Sequence, residues 1–495
     1  MDRVVSAASP VPAHVPNNIG GRDVPAAAAE WFDKLDPATG ARLCQVARSR
    51  GADVDAAIVA ALAAQPAWAE TTPIRRGEIL REVANAMHAR RADIASVVHC
   101  ETGKSMKDAL GETAGAIALA HFYAGEGQRL YGRTTTSGLA NRQAMTVREP
   151  LGVAGLIVAA NTPVANVAWK LFPALICGNA TVMKAAEDTP ATAWLVHEIA
   201  AAAGLPDGLY NVVQGLGEEA GAPLVADGRV AVISFTGSTA VGREIAAVAG
   251  RRLAKVSLEL GGKNPLVVCD DADLENALKW VLLSAFSNAG QRCASGTRII
   301  IFDAVYDTFR DLLVERAARL RVGTADDDDF GPVINGEQLE NMLAVIARAR
   351  TRGATILTGG GRLTGGAHQG GFFLAPTLVE NASPGDDISM TELFGPIACL
   401  YRVQDFAGAL ALANSSPYGL TACIHTQNVH RALLFARKVA AGVAMVNAGT
   451  FGSEPHMPFG GVKQSGNGSR EPGTEALDIY SSLKDVYITL DPDRA

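Results

Sequence analysis

The sequence predicts an α/β protein in which a doubly wound parallel sheet is followed by a second α/β unit. Short apolar runs alternate with helical patterns between residues 153 and 260, and the alternation resumes after Glu259. In addition, 48% of the residues are apolar and 19% are charged, which is typical of a globular chain with a large core. Such a sheet needs right-handed crossovers and binds ligands at the carboxyl ends of its strands.

The elements follow from the spacing of the apolar residues. From Val54 to Ala124 they recur every three to four positions, which predicts helices, and the polar stretch Gly132–Gly138 ends this region. The predicted strands of the parallel sheet are Val153–Ala159, Ala180–Met183, Tyr210–Val213, Val230–Phe235 and Lys255–Leu260. The helices between them are predicted near Val164–Ile176, Ala191–Ala203, Glu218–Ala226 and Ala240–Val248.

The second α/β unit begins with a helix predicted over Leu274–Asn288. The strand Arg298–Phe302 and helices over Tyr306–Arg319, Gln338–Arg350 and His430–Val439 are predicted to follow. The last predicted strand, Asp485–Leu490, leaves an exposed edge unless another strand pairs with it, so pairing between subunits is physically reasonable. Residues 1–20, rich in Ala, Pro and Val, are expected to form a loose arm.

Length, charge and cysteine content narrow the class of protein. At about 150 residues per domain, 495 residues predict two or three domains. The net charge of −7 argues against a nucleic-acid-binding surface. Seven cysteines without a Cys-x-x-Cys pair argue against disulfides or structural zinc, so we expect no metal and a reducing, cytoplasmic location. We expect neither a signal peptide nor a membrane span, because polar residues interrupt the uncharged stretch Leu151–Trp169.

Two glycine-rich turns follow predicted strands and are candidate phosphate contacts. Gly215-Leu216-Gly217 with Ala220 matches a dinucleotide fingerprint, although such matches arise easily in a glycine-rich chain. The turn that contains Gly237 and Ser238 leads directly into a helix, whose N-terminal N–H groups and dipole favour an anion. In both cases the alternative is an ordinary turn between a strand and a helix.

Three polar side chains lie at the ends of predicted elements. Cys293 sits in a polar loop flanked by glycine, where a thiol can be reached; the alternative is a small buried hydrophobe. Glu259 ends a strand at the expected ligand crevice; the alternative is a salt bridge to Lys263. Asn161 also ends a strand, and its amide can either donate to an oxyanion or cap the next helix.

Eight short segments occur in one order along the chain. They are Glu101-Thr102-Gly103-Lys104; Asn161 with Pro163; Gly178-Asn179 leading to Lys184 and Glu187; Phe235-Thr236-Gly237-Ser238-Thr239; Leu258-Glu259-Leu260-Gly261-Gly262-Lys263; Gly290-Gln291-Arg292-Cys293; Glu392-Leu393-Phe394-Gly395-Pro396; and Pro458-Phe459-Gly460-Gly461-Val462-Lys463. In this combination the chain resembles the aldehyde dehydrogenase superfamily over residues 20–490. The spacing between Glu259 and Cys293 is the most specific part of the resemblance.

The resemblance implies an NAD-dependent oxidation of an aldehyde to a carboxylate. Cys293 would attack the aldehyde as a thiolate, and the amide of Asn161 with the backbone N–H of Cys293 would hold the oxyanion. Hydride would leave for the nicotinamide, and Glu259 would activate the water that hydrolyses the thioester. Lys170 matches a lysine near the active site of the family. The implied cofactor-binding residues are Lys184, Glu187, Gly237, Ser238, Glu392 and Phe394.

Glu187 bears on the choice of cofactor. A carboxylate that accepts from ribose hydroxyls repels a 2′-phosphate, which favours NAD over NADP, although Lys184 nearby leaves NADP open. The resemblance also implies a small-molecule aldehyde as substrate and a homodimer or homotetramer. The implied domains are a cofactor domain (21–129 and 152–260), a catalytic domain (261–475) and a small β oligomerisation element (130–151 and 476–495), after the arm 1–20.

Some positions depart from the family pattern. Ala159-Ala160 precede Asn161 and Thr162 follows it, so we expect a less aromatic pocket than in enzymes for flat apolar aldehydes. Ala185 replaces the usual proline after Lys184. The glycine-rich tail is one residue longer than usual, and counting back from Tyr480 places the proton-relay glutamate of the family at Thr474, with Glu475 one place over.

The pocket and the tail resemble the α-ketoglutaric semialdehyde dehydrogenase branch, which implies a carboxylate-bearing semialdehyde. Such a substrate needs a cation, for which Arg292 is one candidate, and Thr162 and Ser453–Met457 are candidate specificity positions. Two alternatives remain open. One is an enzyme that passes the thioester to coenzyme A, against which Glu259 argues. The other is a non-catalytic binding protein on the same fold, against which the intact Cys293, Glu259 and Asn161 argue.

Overall fold

The structure is a computed structural model, and it describes residues 9–494. Within this range the chain forms two seven-stranded sheets and three smaller ones. The helices are α1 (Gly51–Glu70), α2 (Pro73–Ala89), α3 (Arg91–Thr102), α4 (Met106–Glu126), α5 (Pro163–Ile176), α6 (Pro190–Ala202), α7 (Ala222–Ala226), α8 (Thr239–Arg251), α9 (Leu274–Phe286), α10 (Asp303–Ala318), α11 (Gly336–Thr351), α12 (Asp387–Met390), α13 (Phe406–Asn414), α14 (Val429–Lys438) and α15 (Ala476–Tyr480). Single turns of π-helix (Gly217–Gly221) and of 3₁₀-helix (Ser287–Gly290, Gly366–His368, Pro492–Arg494) complete them.

The strands are short, and the parallel ones are buried. They are β1 (His14–Val15), β2 (Asn17–Ile19), β3 (Arg22–Val24), β4 (Trp31–Leu35), β5 (Arg42–Ala47), β6 (Thr134–Thr136), β7 (Arg142–Pro150), β8 (Val153–Ile157), β9 (Ala180–Lys184), β10 (Tyr210–Val213), β11 (Val230–Thr236), β12 (Lys255–Glu259), β13 (Asn264–Val268), β14 (Gly296–Phe302), β15 (Thr355–Thr358), β16 (Thr377–Glu380), β17 (Ile397–Val403), β18 (Tyr418–Gly419), β19 (Thr421–His425), β20 (Val443–Val446), β21 (Val462–Lys463) and β22 (Ser481–Thr489).

The first large sheet confirms the predicted parallel sheet. Its order is β12-β11-β8-β9-β10-β2-β3, and the five strands predicted from the apolar runs pair in parallel. Every residue of β8, β9 and β10 is buried, as expected for strands covered on both faces. The run of β8 carries no polar side chain, and those of β9 and β10 are mostly apolar, which is why they could be recognised without their partners.

The N-terminal region differs from the predicted loose arm. Residues 14–19 contain β1, which pairs in parallel with β5, and β2, which pairs antiparallel with β10. Asn17 is buried, and its Oδ1 accepts from Gln214 N at 2.8 Å and from Ser49 Oγ at 2.7 Å. These strands are too short to show a period, and they form because distant backbone groups complete their hydrogen bonds. Residues 1–8 of the predicted arm lie outside the described residues.

The second large sheet has the order β15-β16-β17-β14-β13-β19-β20. All of its neighbouring pairs are parallel except β15 with β16. This confirms a second α/β unit, of which the sequence argument had named only the strand at Arg298–Phe302. No helix within residues 9–494 is both long and apolar enough to cross a bilayer.

A separate three-stranded antiparallel sheet joins the middle of the chain to its tail. Its order is β22-β7-β6, and β22 pairs with β7 along nine positions from Ser481 to Thr489. Leu483, Tyr487 and Ile488 on β22 are exposed, and the outer edge of β22 has no partner strand within residues 9–494. The predicted exposed edge over Asp485–Leu490 is therefore present.

The two large sheets bring the predicted polar residues to one place. Asn161 follows β8, Gly237 follows β11, and Glu259 is the last residue of β12. Cys293 lies in the loop that leads into β14 of the other sheet. The carboxyl edge of the first sheet thus faces this loop.

Candidate active site

A cavity of about 420 Å³ lies at the carboxyl ends of β8, β11 and β12. It is the crevice in which doubly wound sheets bind ligands. Of the ten residues that the sequence argument selected for catalysis or cofactor binding, seven line it: Asn161, Gly237, Ser238, Glu259, Cys293, Glu392 and Phe394. Lys170, Lys184 and Glu187 are not among the lining residues.

A second cavity of about 280 Å³ meets the first at the thiol. Five residues line both cavities: Asn161, Thr162, Trp169, Cys293 and Phe459. Cys293 therefore lies between two spaces, so that one ligand can approach its sulfur from each side.

A left-handed segment presents Cys293. Asn288, Ala289 and Gly290 have φ of 55°, 54° and 66°, a conformation that costs energy for the two residues with a side chain. Asn264 Nδ2 donates to the carbonyl of Cys293 at 2.8 Å and holds the loop from the other side. The thiol is half-buried, and burial, reinforced by Glu392 and Glu259, raises its pKa to about 12. This environment favours the protonated thiol over the thiolate.

Asn161 does not take the capping role that was its alternative. The residue at the N-cap of α5 is Thr162, whereas Asn161 Nδ2 donates to the carbonyl of Gln291 at 2.9 Å. This bond ties the amide to the loop of Cys293 and leaves its second N–H for a ligand.

A buried ion pair holds the backbone of Asn161. Lys104 Nζ donates to the carbonyl of Asn161 at 3.0 Å and to Glu112 Oε2 at 2.6 Å. The other oxygen of Glu112 accepts from Val164 N at 3.0 Å, at the start of α5. Lys104 belongs to a sequence motif to which no role was assigned, and no motif marks Glu112.

Glu259 is a buried carboxylate without a partner. Its side chain is 4% exposed, and neither oxygen has a hydrogen bond within the described residues. Within residues 9–494, Glu259 forms no salt bridge to Lys263, which was the alternative role for this carboxylate. Burial, together with the nearby Glu471, raises the pKa of Glu259 well above its usual range. A carboxylate that is costly to ionise and free of partners is suited to take a proton.

Lys170 lies below the cavity in a buried charged cluster. Its Nζ donates to Glu471 Oε2 at 2.9 Å and to Ser234 Oγ at 2.7 Å, and both charged side chains are fully buried. Tyr480 OH also donates to Glu471, at 2.9 Å.

The structure places Glu471 beside Lys170 and leaves Thr474 and Glu475, the positions that the count from Tyr480 indicated, outside this cluster. Both of those residues are exposed, whereas Glu471 is buried beside Lys170.

The opposite wall of the first cavity carries Glu392 and Phe394. Glu392 accepts from Gly262 N at 3.0 Å, and burial raises its pKa to about 7. A Cβ at Gly261 would meet this carboxylate, so a side chain there would push the end of Glu392 aside. Ser238 caps α8, where its Oγ accepts from Val241 N at 3.3 Å, and it lines the cavity together with Gly237. The N–H groups at such a helix start favour an anion.

Lys184 and Glu187 form an ion pair beside this cavity. Lys184 Nζ donates to Glu187 Oε2 at 2.8 Å, and Glu187 Oε1 accepts from Gly217 N at 3.0 Å. The fingerprint glycines therefore lie next to Glu187. None of the residues 215–220 lines the large cavity.

Aromatic side chains that the sequence argument did not select line the two cavities. Trp169 and Phe459 pack edge to face with ring centroids 5.4 Å apart, and Phe451 lines the second cavity. Thr162 and part of the segment Ser453–Met457 line the second cavity, in agreement with their expected place near the substrate. Trp169 could not be selected from the sequence, because an aromatic residue at its position on α5 is typical of a core residue.

All seven cysteines are free thiols, and only Cys293 and Cys100 are half-buried rather than buried. Among residues 9–494 no group of three or more His, Cys, Asp or Glu side chains could hold a metal ion.

The doubly wound sheet, the second α/β unit and a thiol set between two cavities define this molecule as an α/β protein with a candidate thiol active site. The family model described as "Aldehyde dehydrogenase family" matches residues 24–486. The chain belongs to the aldehyde dehydrogenase family, as its motifs indicated.

Individual relatives agree with this assignment. The chain is 39% identical over 445 residues to an alpha-ketoglutaric semialdehyde dehydrogenase of Bacillus subtilis (strain 168), with 90% of this chain and 91% of the relative covered. It is similar in structure to betaine aldehyde dehydrogenase from Staphylococcus aureus in complex with NAD+, with a TM-score of 0.94, 30% identity, and 97% and 95% of the two chains covered. PnpE from Pseudomonas sp. WBC-3 gives a TM-score of 0.94 at 33% identity, with 97% and 98% covered.

Proposed function

We propose that this chain oxidises a carboxylate-bearing aldehyde to the carboxylic acid with NAD, through a thioester on Cys293. One observation carries the proposal. Cys293 lies where a cofactor-sized cavity meets a smaller one, and the amide of Asn161 and the unpartnered carboxylate of Glu259 line the same space. These are a nucleophile, an oxyanion donor and a general base.

The residues around the large cavity fit a dinucleotide. The start of α8 with Gly237 and Ser238 offers N–H groups for the pyrophosphate, and Glu187 with Lys184 offers partners for the adenosine ribose. Glu392 and Phe394 lie on the nicotinamide-ribose side in this assignment. When bound, the nicotinamide supplies a hydride acceptor.

On the substrate side, the Cys293 thiol gives its proton to water and its sulfur adds to the aldehyde carbon. The free N–H of Asn161 and the backbone N–H of Cys293 hold the oxyanion that forms. Loss of hydride from the same carbon leaves a thioester on Cys293. The Asn161 amide keeps its place because Gln291, Lys104 and Glu112 fix the loop.

Hydrolysis of the thioester needs a general base whose oxygens are not already engaged in hydrogen bonds with other residues. Glu259 takes a proton from water, the hydroxide oxygen adds to the thioester carbon, and the Cys293 sulfur leaves as the acid forms. Lys170 and Glu471 are charged neighbours of Glu259 and set the electrostatic environment in which it ionises.

Initial-rate measurements with an aldehyde panel test the proposal. NAD and NADP are each offered with short aliphatic, aromatic and carboxylate-bearing aldehydes, with and without coenzyme A. We expect reduction of NAD that does not require coenzyme A and is fastest with carboxylate-bearing aldehydes. A requirement for coenzyme A would support the acyl-transferring alternative, and no turnover with any member would contradict the proposal.

The carboxylate of Glu187 is expected to select NAD. Glu187→Gln removes its charge and with it the repulsion of a 2′-phosphate, which costs several kcal/mol when like charges meet. We expect the ratio of kcat/KM with NADP to that with NAD to rise about tenfold or more. The matched control is Glu218→Gln, which removes an exposed carboxylate from the neighbouring turn. An equal rise in the control would contradict a specific role for Glu187.

We further propose the domain assignment of the sequence argument: a cofactor domain over 21–129 and 152–260, a catalytic domain over 261–475, and an oligomerisation element over 130–151 and 476–495. The two large sheets and the β22-β7-β6 sheet support it, and β2 extends the first sheet before residue 21. The seven free cysteines support a reducing compartment, which we propose to be the cytoplasm.

The oligomerisation element is expected to form a homodimer or homotetramer through the open edge of β22. Leu483→Lys combined with Ile488→Lys places charges on its exposed apolar positions. We expect the molar mass measured by light scattering to fall to that of a monomer while the far-ultraviolet circular dichroism is kept. A variant with an unchanged mass would show that the subunits meet elsewhere.

A further inference from the structure

We propose that Arg292 is the residue that selects a carboxylate-bearing substrate, by pairing its guanidinium with the substrate carboxylate in the second cavity. The inference rests on the proposed function and names the group that determines its specificity. Arg292 and Cys293 are adjacent in the chain and line the same cavity of about 280 Å³. A substrate with its aldehyde at the sulfur therefore extends its other end past Arg292.

Arg292 is the one cationic side chain among the described residues that line this cavity. Within residues 9–494 no carboxylate lies within salt-bridge distance of its guanidinium. Burial of the guanidinium makes its positive charge costly. Its side chain is half-buried, and burial lowers its pKa, yet an arginine keeps its charge in proteins. An unpaired charge in such a place is stabilised by an anion that enters the cavity.

Three carboxylates near Arg292 do not serve as that anion: Asp108, Glu112 and Glu454. Asp108 acts on the charge of Arg292, but within residues 9–494 it is exposed and lies beyond salt-bridge distance of the guanidinium. Glu112 is 7% exposed and already bound to Lys104 and to the start of α5. Glu454 is 74% exposed at the rim and lies 3.7 Å from His456 Nε2. The position opposite Arg292 is thus left for a ligand.

Two contacts hold the guanidinium without using up its donors. It stacks on Phe451, with Cζ 4.6 Å from the ring centroid, and one of its terminal nitrogens donates to Ser287 Oγ. The remaining N–H groups have no hydrogen bond to any described residue. The ring contact and the single hydrogen bond hold the guanidinium in place. They leave free the planar pair of N–H donors that can bind a carboxylate with two hydrogen bonds.

The test compares substrates that differ in the carboxylate. Succinic semialdehyde and butanal have the same number of carbons, and only the former carries a negative charge. For Arg292→Gln we expect kcat/KM with succinic semialdehyde to fall about 10- to 100-fold, the range of a lost hydrogen bond to a charged group, while butanal changes about threefold or less. Arg292→Lys should keep part of the discrimination, because the charge remains while the paired donors are lost.

The butanal measurement separates specificity from a general effect on the thiol. Loss of the neighbouring charge could lower the reactivity of Cys293, but this would affect both substrates equally. An equal fall, or an unchanged ratio, would overturn the proposal. Arg402→Gln is the matched control, since that guanidinium stacks on Tyr306 at 4.0 Å and pairs with Asp303 and Asp307 away from the cavities.

A binding measurement keeps the inference separate from the proposed activity. Calorimetric titration of the full chain with glutarate, in the presence of NAD, should show binding that weakens about 10-fold or more in Arg292→Gln. The neutral diamide of glutarate should bind weakly to both proteins. Binding that depends on Arg292 without turnover of any aldehyde would support this site and overturn the proposed function. Glutarate binding that is the same in both proteins would overturn the role of Arg292.

Discussion

Cys293→Ala is expected to lower aldehyde-dependent reduction of NAD by about 10⁴-fold or more, because the covalent route loses its nucleophile. No other cysteine among the described residues lines either cavity and could replace this nucleophile. Cys293 is the only half-buried thiol among the residues that line the two cavities, and the five buried cysteines lie in core positions. The measurement is the initial rate with succinic semialdehyde, together with the affinity for NAD, which should be nearly unchanged.

Cys100→Ala is the matched control, since Cys100 is the other half-buried thiol and does not line either cavity. It should keep the activity of the unmodified chain. Turnover by the Cys293 variant at the original rate would refute the thioester mechanism.

Glu259→Gln is expected to separate the two halves of the reaction. Hydride leaves before the base is needed, so each site should still produce one reduced NAD in a burst. Steady-state turnover should then fall about 10²- to 10⁴-fold, the usual contribution of a general base. Rapid mixing measures the burst, and mass spectrometry of the quenched protein should find the acyl group on Cys293.

The pH dependence of the same step follows from the environment of Glu259. Because burial raises the pKa of this carboxyl well above its usual range, it stays protonated as the pH falls and cannot accept a proton from water. The steady-state rate should therefore rise with pH as Glu259 ionises, and Glu259→Gln should lose this rise. A burst absent in Glu259→Gln, or an unchanged pH profile, would contradict its role as base. The double variant with Cys293→Ala should show no burst.

Much of the fold could be predicted because its signals are local. The run at Val153–Ile157 has no polar side chain, and those at Ala180–Lys184 and Tyr210–Val213 are mostly apolar. Such runs predict buried parallel strands without knowledge of their partners. The strands at His14–Val15 and Asn17–Ile19 could not be predicted. They are two and three residues long, and their pairing with β5 and β10 supplies the stability that their own sequence lacks.

The candidate site divides in the same way. Cys293, Glu259 and Asn161 could be selected from the sequence, because each stands at the end of an element in a motif with fixed spacing. The count along the tail pointed to Thr474 and Glu475 rather than to Glu471, because position along the tail does not show which carboxylate folds back onto Lys170. A buried ion pair between residues 301 positions apart is visible only once the chain is folded.

The sequence by itself determined the class of fold, the family and the residue types for covalent chemistry, since these depend on local periodicity and on motifs. Only the tertiary structure decided that Glu259 has no partner, that Lys104 and Glu112 hold Asn161, and that the guanidinium of Arg292 is left unpaired in the cavity. The physical reason is that the state of a charged group depends on its burial and on the partners within a few ångströms. In this molecule those partners come from distant parts of the chain.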